Sequence, residues 1–83
     1  MLDIRYTDDA LKDLKSIGRV AAKKVMDKIR AYAAHPAGFG NQVKKLRGVD
    51  ALRLRVGDYR VLFNEDGVVL SVLRIGHRRN IYR

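Results

Sequence analysis

The chain has 83 residues, with 18 Lys and Arg against nine Asp and Glu, and no cysteine. That length holds one domain around one small core and leaves no room for a second, and the lack of cysteine excludes a disulfide framework, a thiolate nucleophile and a cysteine-ligated zinc. The net charge of +9 points to a polyanionic partner and is unevenly spread: residues 1–43 carry eight basic and five acidic side chains (+3), residues 44–83 ten and four (+6).

The start, Met1 to Arg5, lacks the positive segment and long apolar stretch of an export signal. The longest later apolar run, Val68 to Leu73, is broken by Ser71 and too short to span a bilayer. A cytoplasmic location without membrane association is therefore expected. Leu2 to Tyr6 alternates apolar and charged residues, which predicts a half-buried first strand. Thr7 ends it and suits an N-cap, and Asp8 and Asp9 place negative charge on the first helical turn, where the backbone dipole favours it. The helix that follows runs to about Ile17, with Leu11, Leu14 and Ile17 along one stripe, until Gly18 breaks it. In the second helix Val25, Met26, Ile29, Tyr32 and Ala33 share one face, while Lys23, Lys24, Asp27, Lys28 and Arg30 take the other.

The segment His35 to Asn41 cannot continue that helix, because Pro36 lacks an amide donor and Gly38 and Gly40 favour loop geometry. Three strands are then expected: Leu52–Val56, a turn at Gly57-Asp58, Tyr59–Asn64, a turn near Glu65-Asp66-Gly67, and Val68–Ile75. The order is β-α-α-β-β-β. Two helices can cover only one face of the sheet, so the reading is an α+β domain with a mainly antiparallel sheet, one covered face and one open, basic face.

Period-two alternation sends Leu52, Leu54 and Val56 to the core and Arg53 and Arg55 to the open face, about 7 Å apart along the strand, a spacing that matches successive contacts to a sugar-phosphate chain. Arg60 lies just across the two-residue turn, where a hairpin can bring it to the same face. The plainer alternative is a set of solvated surface arginines, which is ordinary for any one of them. The tail Gly76 to Arg83 surrounds one phenol, Tyr82, with cations that favour phenolate; its alternative is a packed ring. His77, Lys44, Lys45, Arg47 and Arg79 are further candidate contacts to a polyanion. His35 reads as structural, and Asp58 and Glu65 do not have the spacing of a catalytic carboxylate pair.

These same residues carry a resemblance. KLRG at Lys45–Gly48, LRVGDYRV at Leu54–Val61 and RIGHRRNIYR at Arg74–Arg83, in that order, resemble the RelE branch of the RelE/ParE toxin superfamily over nearly the whole chain. The resemblance implies the toxin of a type II toxin–antitoxin pair that cleaves messenger RNA in the ribosomal A site by attack of the substrate's own 2′-hydroxyl, without metal or other cofactor. It implies a cognate antitoxin and the ribosome as partners, with operator DNA met only through the antitoxin. Residue by residue, Arg53 and Arg55 match positions that are lysines in a well-known member. Arg60 and Arg78 match its phosphate-contacting and acid-like arginines, and Tyr82 its base-like tyrosine.

Two departures shape that expectation. Guanidinium does not readily exchange a proton, so Arg53 and Arg55 stabilise charge and proton transfer falls mainly to Tyr82. The sequence also ends one residue after Tyr82, without the terminal helix that holds the corresponding position in some relatives. The alternatives are a ParE-like, non-catalytic inhibitor of DNA gyrase, which shares the scaffold and the GDYR-like hairpin, and a basic nucleic-acid-binding module, which leaves the ordered motifs unexplained.

Overall fold

In the computed structural model, which describes residues 1–46, 48 and 50–77, the chain forms β1 (Asp3–Tyr6), α1 (Asp8–Ile17), α2 (Arg19–Ala34), a 3-10 segment (Pro36–Gln42), β2 (Val43–Lys45), β3 (Leu52–Val56), β4 (Tyr59–Glu65) and β5 (Val69–His77). The expected order holds, with one addition. The sheet has five strands in the order β1-β5-β4-β3-β2, because the residues leading into the KLRG motif, with its first lysine, pair antiparallel with β3, Val43 opposite Leu54 and Lys45 opposite Leu52. A three-residue strand is too short to show periodicity, which is why the sequence reads it as loop. All neighbours are antiparallel except β1 and β5, which run parallel with Ile4 opposite Leu70 and Tyr6 opposite Val72.

Thr7 caps α1 and ties it to the sheet: its hydroxyl accepts from the Ala10 amide at 3.1 Å and donates to the Leu73 carbonyl of β5 at 2.9 Å. The buried stripe of α1 is Ala10 and Leu14, with Ile17 half-buried; Leu11, expected in the core, is 49% exposed. Positions 10, 14 and 17 form the inward row of a 3.6-residue helix, which turns Leu11 out toward Ala22 and Met26 on α2. Gly18, at φ +90°, closes the bend between the helices in a backbone conformation that other residues rarely adopt.

Val25, Ile29, Tyr32 and Ala33 of α2 pack with Ala10 and Leu14 against Leu54, Val61, Phe63, Leu70, Val72 and Ile75 of the sheet. The Tyr32 ring meets Phe63 and Phe39 edge-on, with centroids 5.1 and 5.4 Å away, and its hydroxyl donates to Glu65 at 3.1 Å. At the β3–β4 turn Gly57 takes φ +57° as the first of two loop residues between the paired Val56 and Tyr59, a position suited to glycine. The β4–β5 turn is held by Asp66, whose carboxylate accepts from the Val68 and Val69 amides at 2.9 and 2.8 Å. This leaves Val68 exposed and starts β5 at Val69, and the strand runs on to His77, two residues beyond the expected end.

The strand β1 covers the edge of β5 only from Val69 to Val72. Beyond it α1 takes over: the Asp13 carboxylate accepts from the Ile75 amide at 2.9 Å and from the Arg74 guanidinium at 2.8 and 3.2 Å. Burial raises the Asp13 carboxyl's pKa, but the Arg74 hydrogen bonds, the Ile75 amide and the guanidinium charge outweigh it and hold the group below the ordinary 3.8. A depressed folded-state value makes this contribution to stability full above the unfolded-state pKa and lost as pH falls through the folded one. Asp13→Asn should therefore melt below the wild type at neutral pH, with the gap closing as acidification passes below the ordinary carboxylate range. A gap that persists unchanged in acid would show that the carboxylate's charge contributes nothing.

Candidate nucleic-acid interface

The pleat of β3 puts Leu52, Leu54 and Val56 toward the helices and Arg53 and Arg55 on the face the helices leave uncovered. The register then decides what surrounds those arginines. Lys44 of β2 and Leu62 of β4 stand directly opposite Arg53, and Arg60 of β4 directly opposite Arg55. On the far side of β4, Gly76 lies opposite Arg60 and puts no side chain there. Four cations on three adjacent strands, with strand axes about 4.8 Å apart, thus share one face. Arg55 and Lys44 are exposed, and Arg53 and Arg60 half-buried. The Arg60 guanidinium donates to the carbonyls of Gly57 and Tyr59 at 3.3 and 3.1 Å, which ties it to the β3–β4 turn.

Like charges directly opposite one another destabilise a sheet, and Arg55 and Arg60 stand in that relation. Arg55→Gln should leave the free protein equally or slightly more stable, by a few tenths of a kcal/mol. The same change should weaken binding to single-stranded RNA and flatten its salt dependence by about one unit of log–log slope. A steeper salt slope in the variant, or a clear loss of stability, would show that Arg55 is a structural residue.

The other candidates divide. Lys44 and Lys45 lie in β2, not in a loop, and the pleat separates them: Lys44 joins the arginines, while Lys45 pairs with Leu52 on the opposite side. His77 is not brought to the basic face. It stands opposite Tyr59, on the helix-covered side, with the two rings edge-on at 5.9 Å. His35 follows α2, where its amide donates to the Ala31 and Tyr32 carbonyls. Arg47, Arg78, Arg79 and Tyr82 lie outside the described residues.

Two described tyrosines are poor candidates for a base. Burial, then the hydrogen bond to Glu65 and that carboxylate's charge, push the Tyr32 phenol up to about 12, and burial also raises Tyr6 despite the nearby Arg30. Sequence reasoning missed Leu62, half-buried on the open face between Arg53 and Arg74, where an aliphatic side chain offers a base a surface to rest on. The signal was present in the alternation of Arg60 to Phe63, where Val61 and Phe63 face inward. Among the described residues no group of three His, Asp or Glu side chains forms a metal-binding cluster, and no helix is long and apolar enough to cross a membrane.

The family model described as "ParE toxin of type II toxin-antitoxin system, parDE" matches residues 4–82. Among solved structures, the chain is similar to one in the RelBE2 toxin–antitoxin complex of Mycobacterium tuberculosis, with a TM-score of 0.79 and 24% identity over 93% of this chain and 98% of that one. It is similar to one in the RelB–RelE antitoxin–toxin complex of Methanococcus jannaschii, with a TM-score of 0.73 and 25% identity over 94% of each chain. A chain of the intact E. coli RelBE toxin–antitoxin complex gives 0.72 and 24% over 93% of this chain and 96% of that one. A search of the curated proteins found no match.

Proposed function

Because this chain belongs to the ParE toxin family, within the RelE/ParE superfamily of type II toxin–antitoxin systems, we propose that it is a ribosome-dependent endoribonuclease that cuts messenger RNA in the A site. Its standing as the toxin of a type II pair rests on the family itself, and its solved neighbours are toxin–antitoxin complexes, which supports an antitoxin as its cognate partner. The observation that carries the catalytic reading is the register-made cluster of Lys44, Arg53, Arg55 and Arg60 on the uncovered sheet face. Cations held against one another on a rigid sheet are preorganised for charge that develops on a phosphate.

In the proposed reaction the ribose 2′-oxygen bonds to the adjacent phosphorus, the bond from phosphorus to the 5′-oxygen breaks, and the products are a 2′,3′-cyclic phosphate and a 5′-hydroxyl. Tyr82 removes the 2′-hydroxyl proton, helped by surrounding cations that favour its phenolate. Arg53, Arg55 and Arg60 stabilise the extra negative charge of the phosphorane, because guanidinium stays protonated and serves as a charge and a donor. Arg78, which matches the acid-like position of the family pattern, offsets the charge on the leaving 5′-oxygen, and that oxygen takes its proton from water. Lys44, Arg47 and Arg79 add contacts to the RNA backbone, whereas Lys45 and His77, on the other side of the sheet, take no part in this scheme.

Toeprinting of a translating message with the purified protein tests the reading. A cut that appears only on ribosomes supports it, and Arg60→Ala and Arg78→Ala should each abolish growth inhibition while remaining folded. The match to a ParE family model favours one other reading, inhibition of DNA gyrase without catalysis. Intact ribosome-bound message together with loss of gyrase supercoiling would establish that reading in place of the first.

A further inference from the structure

We propose that Asp13, on α1, is a positioning residue for the RNA-cleaving site: its carboxylate sets the register of the last part of β5, which keeps Gly76 opposite Arg60 on the basic face. The inference rests on the catalytic reading above. Its grounds are three features of β5. The pairing with the parallel partner β1 ends at Val72, so among the described residues no strand lies beside the edge from Leu73 onward. The pairing with β4 slips at that same place: Phe63 is opposite Val72 but Leu62 is opposite Arg74, which leaves Leu73 as an extra residue. The one described side chain that accepts the Ile75 amide is Asp13, at 2.9 Å, and the same carboxylate holds Arg74 at 2.8 and 3.2 Å.

A bulge beside an open edge is where a strand slips most easily, and a shift of one residue exchanges the two faces. Asp13 removes that freedom. With Ile75 anchored, its side chain stays in the core and Gly76 stays opposite Arg60 on the basic face. The side chain of Asp13 is only 16% exposed and reaches across 62 residues of sequence to that amide, so the anchor ties α1 to the strand end and not to the bulk solvent. Thr7 performs the companion task one step earlier, where its amide donates to the Val72 carbonyl at 3.0 Å and its hydroxyl to the Leu73 carbonyl at 2.9 Å. Asp13 touches no reacting atom in this scheme; it acts through the register that keeps Gly76, which has no side chain, opposite Arg60.

Single-turnover cleavage of ribosome-bound message, hydrogen exchange at the Ile75 amide and thermal melting are measured for the wild type, Asp13→Ala, Asp13→Asn and Ile29→Val. In Asp13→Ala the Ile75 amide should exchange faster and the saturated cleavage rate fall about tenfold or more, with the ribosome concentration at half-saturation changed by no more than about twofold. Asp13→Asn keeps a carbonyl acceptor for the Ile75 amide and should recover part of the rate, which keeps the test decisive if the alanine variant unfolds. Ile29→Val lowers stability from within the core of α2 and should cleave at the wild-type rate. Native-rate cleavage by both Asp13 variants, or an equal loss of rate in Ile29→Val, overturns the positioning role while leaving the nuclease reading standing. A wild type that never cleaves ribosome-bound message removes the nuclease reading and this role with it.

Discussion

Tyr82→Phe should fold and bind ribosomes as the wild type does, yet cleave A-site message at least about tenfold more slowly, a barrier increase of about 1.4 kcal/mol. The substitution keeps the ring and removes only the hydroxyl, so it separates a proton acceptor from a packing residue. The surroundings narrow the choice of base. Arginine holds its proton too tightly to act as one, Tyr32 is held protonated by burial and by Glu65, and His77 stands on the helix-covered side of the sheet against Tyr59. A general base commonly contributes about a hundredfold to ten-thousandfold, so tenfold is the low end of the expected loss. Native-rate cleavage by Tyr82→Phe in single turnover would show that the phenol is not the base.

Phe63→Ala should cost about 3–5 kcal/mol of stability, against a total of about 5–15 kcal/mol for a domain of this kind. Phe63 is 1% exposed and meets the Tyr32 ring at 5.1 Å, so truncation opens a cavity and removes an aromatic pair at once. The helices and sheet converge there, and a small core has few other side chains to close the gap. Leu62→Ala is the matched control, one residue away on the open face, and should shift the urea midpoint far less. Equal shifts for the two would mean that Phe63 and Leu62 do not lie on opposite faces of β4.

The same contrast shows how far the alternation of residues can be read. Leu52 to Val56 sorts itself into inward and outward positions by period two alone, and the structure keeps that sorting, with Leu54 in the core and Arg53 and Arg55 on the open face. Thr7 as a cap, Gly18 as the break and Gly57-Asp58 as the turn were legible for the same reason: each is a local conformational preference carried by one or two side chains. Leu11 was misplaced because Ala10, fully buried, contributes too little hydrophobicity to reveal which row of α1 faces inward. The strand Val43–Lys45 was missed because three residues carry no period.

The sequence by itself determined the order of the elements, the faces of β3, the excess of cation in the second half and the motifs that tie the chain to its superfamily. All of these follow from local chemistry or from patterns along the chain. Only the tertiary structure decided which cations meet. Arg55 faces Arg60, Lys44 joins Arg53 while Lys45 turns away, His77 falls on the far side of the sheet, and Asp13 holds the Ile75 amide. Strand register, a bulge at Leu73 and the early end of β1 set those meetings, and each depends on hydrogen bonds between segments far apart in sequence, which no local preference encodes.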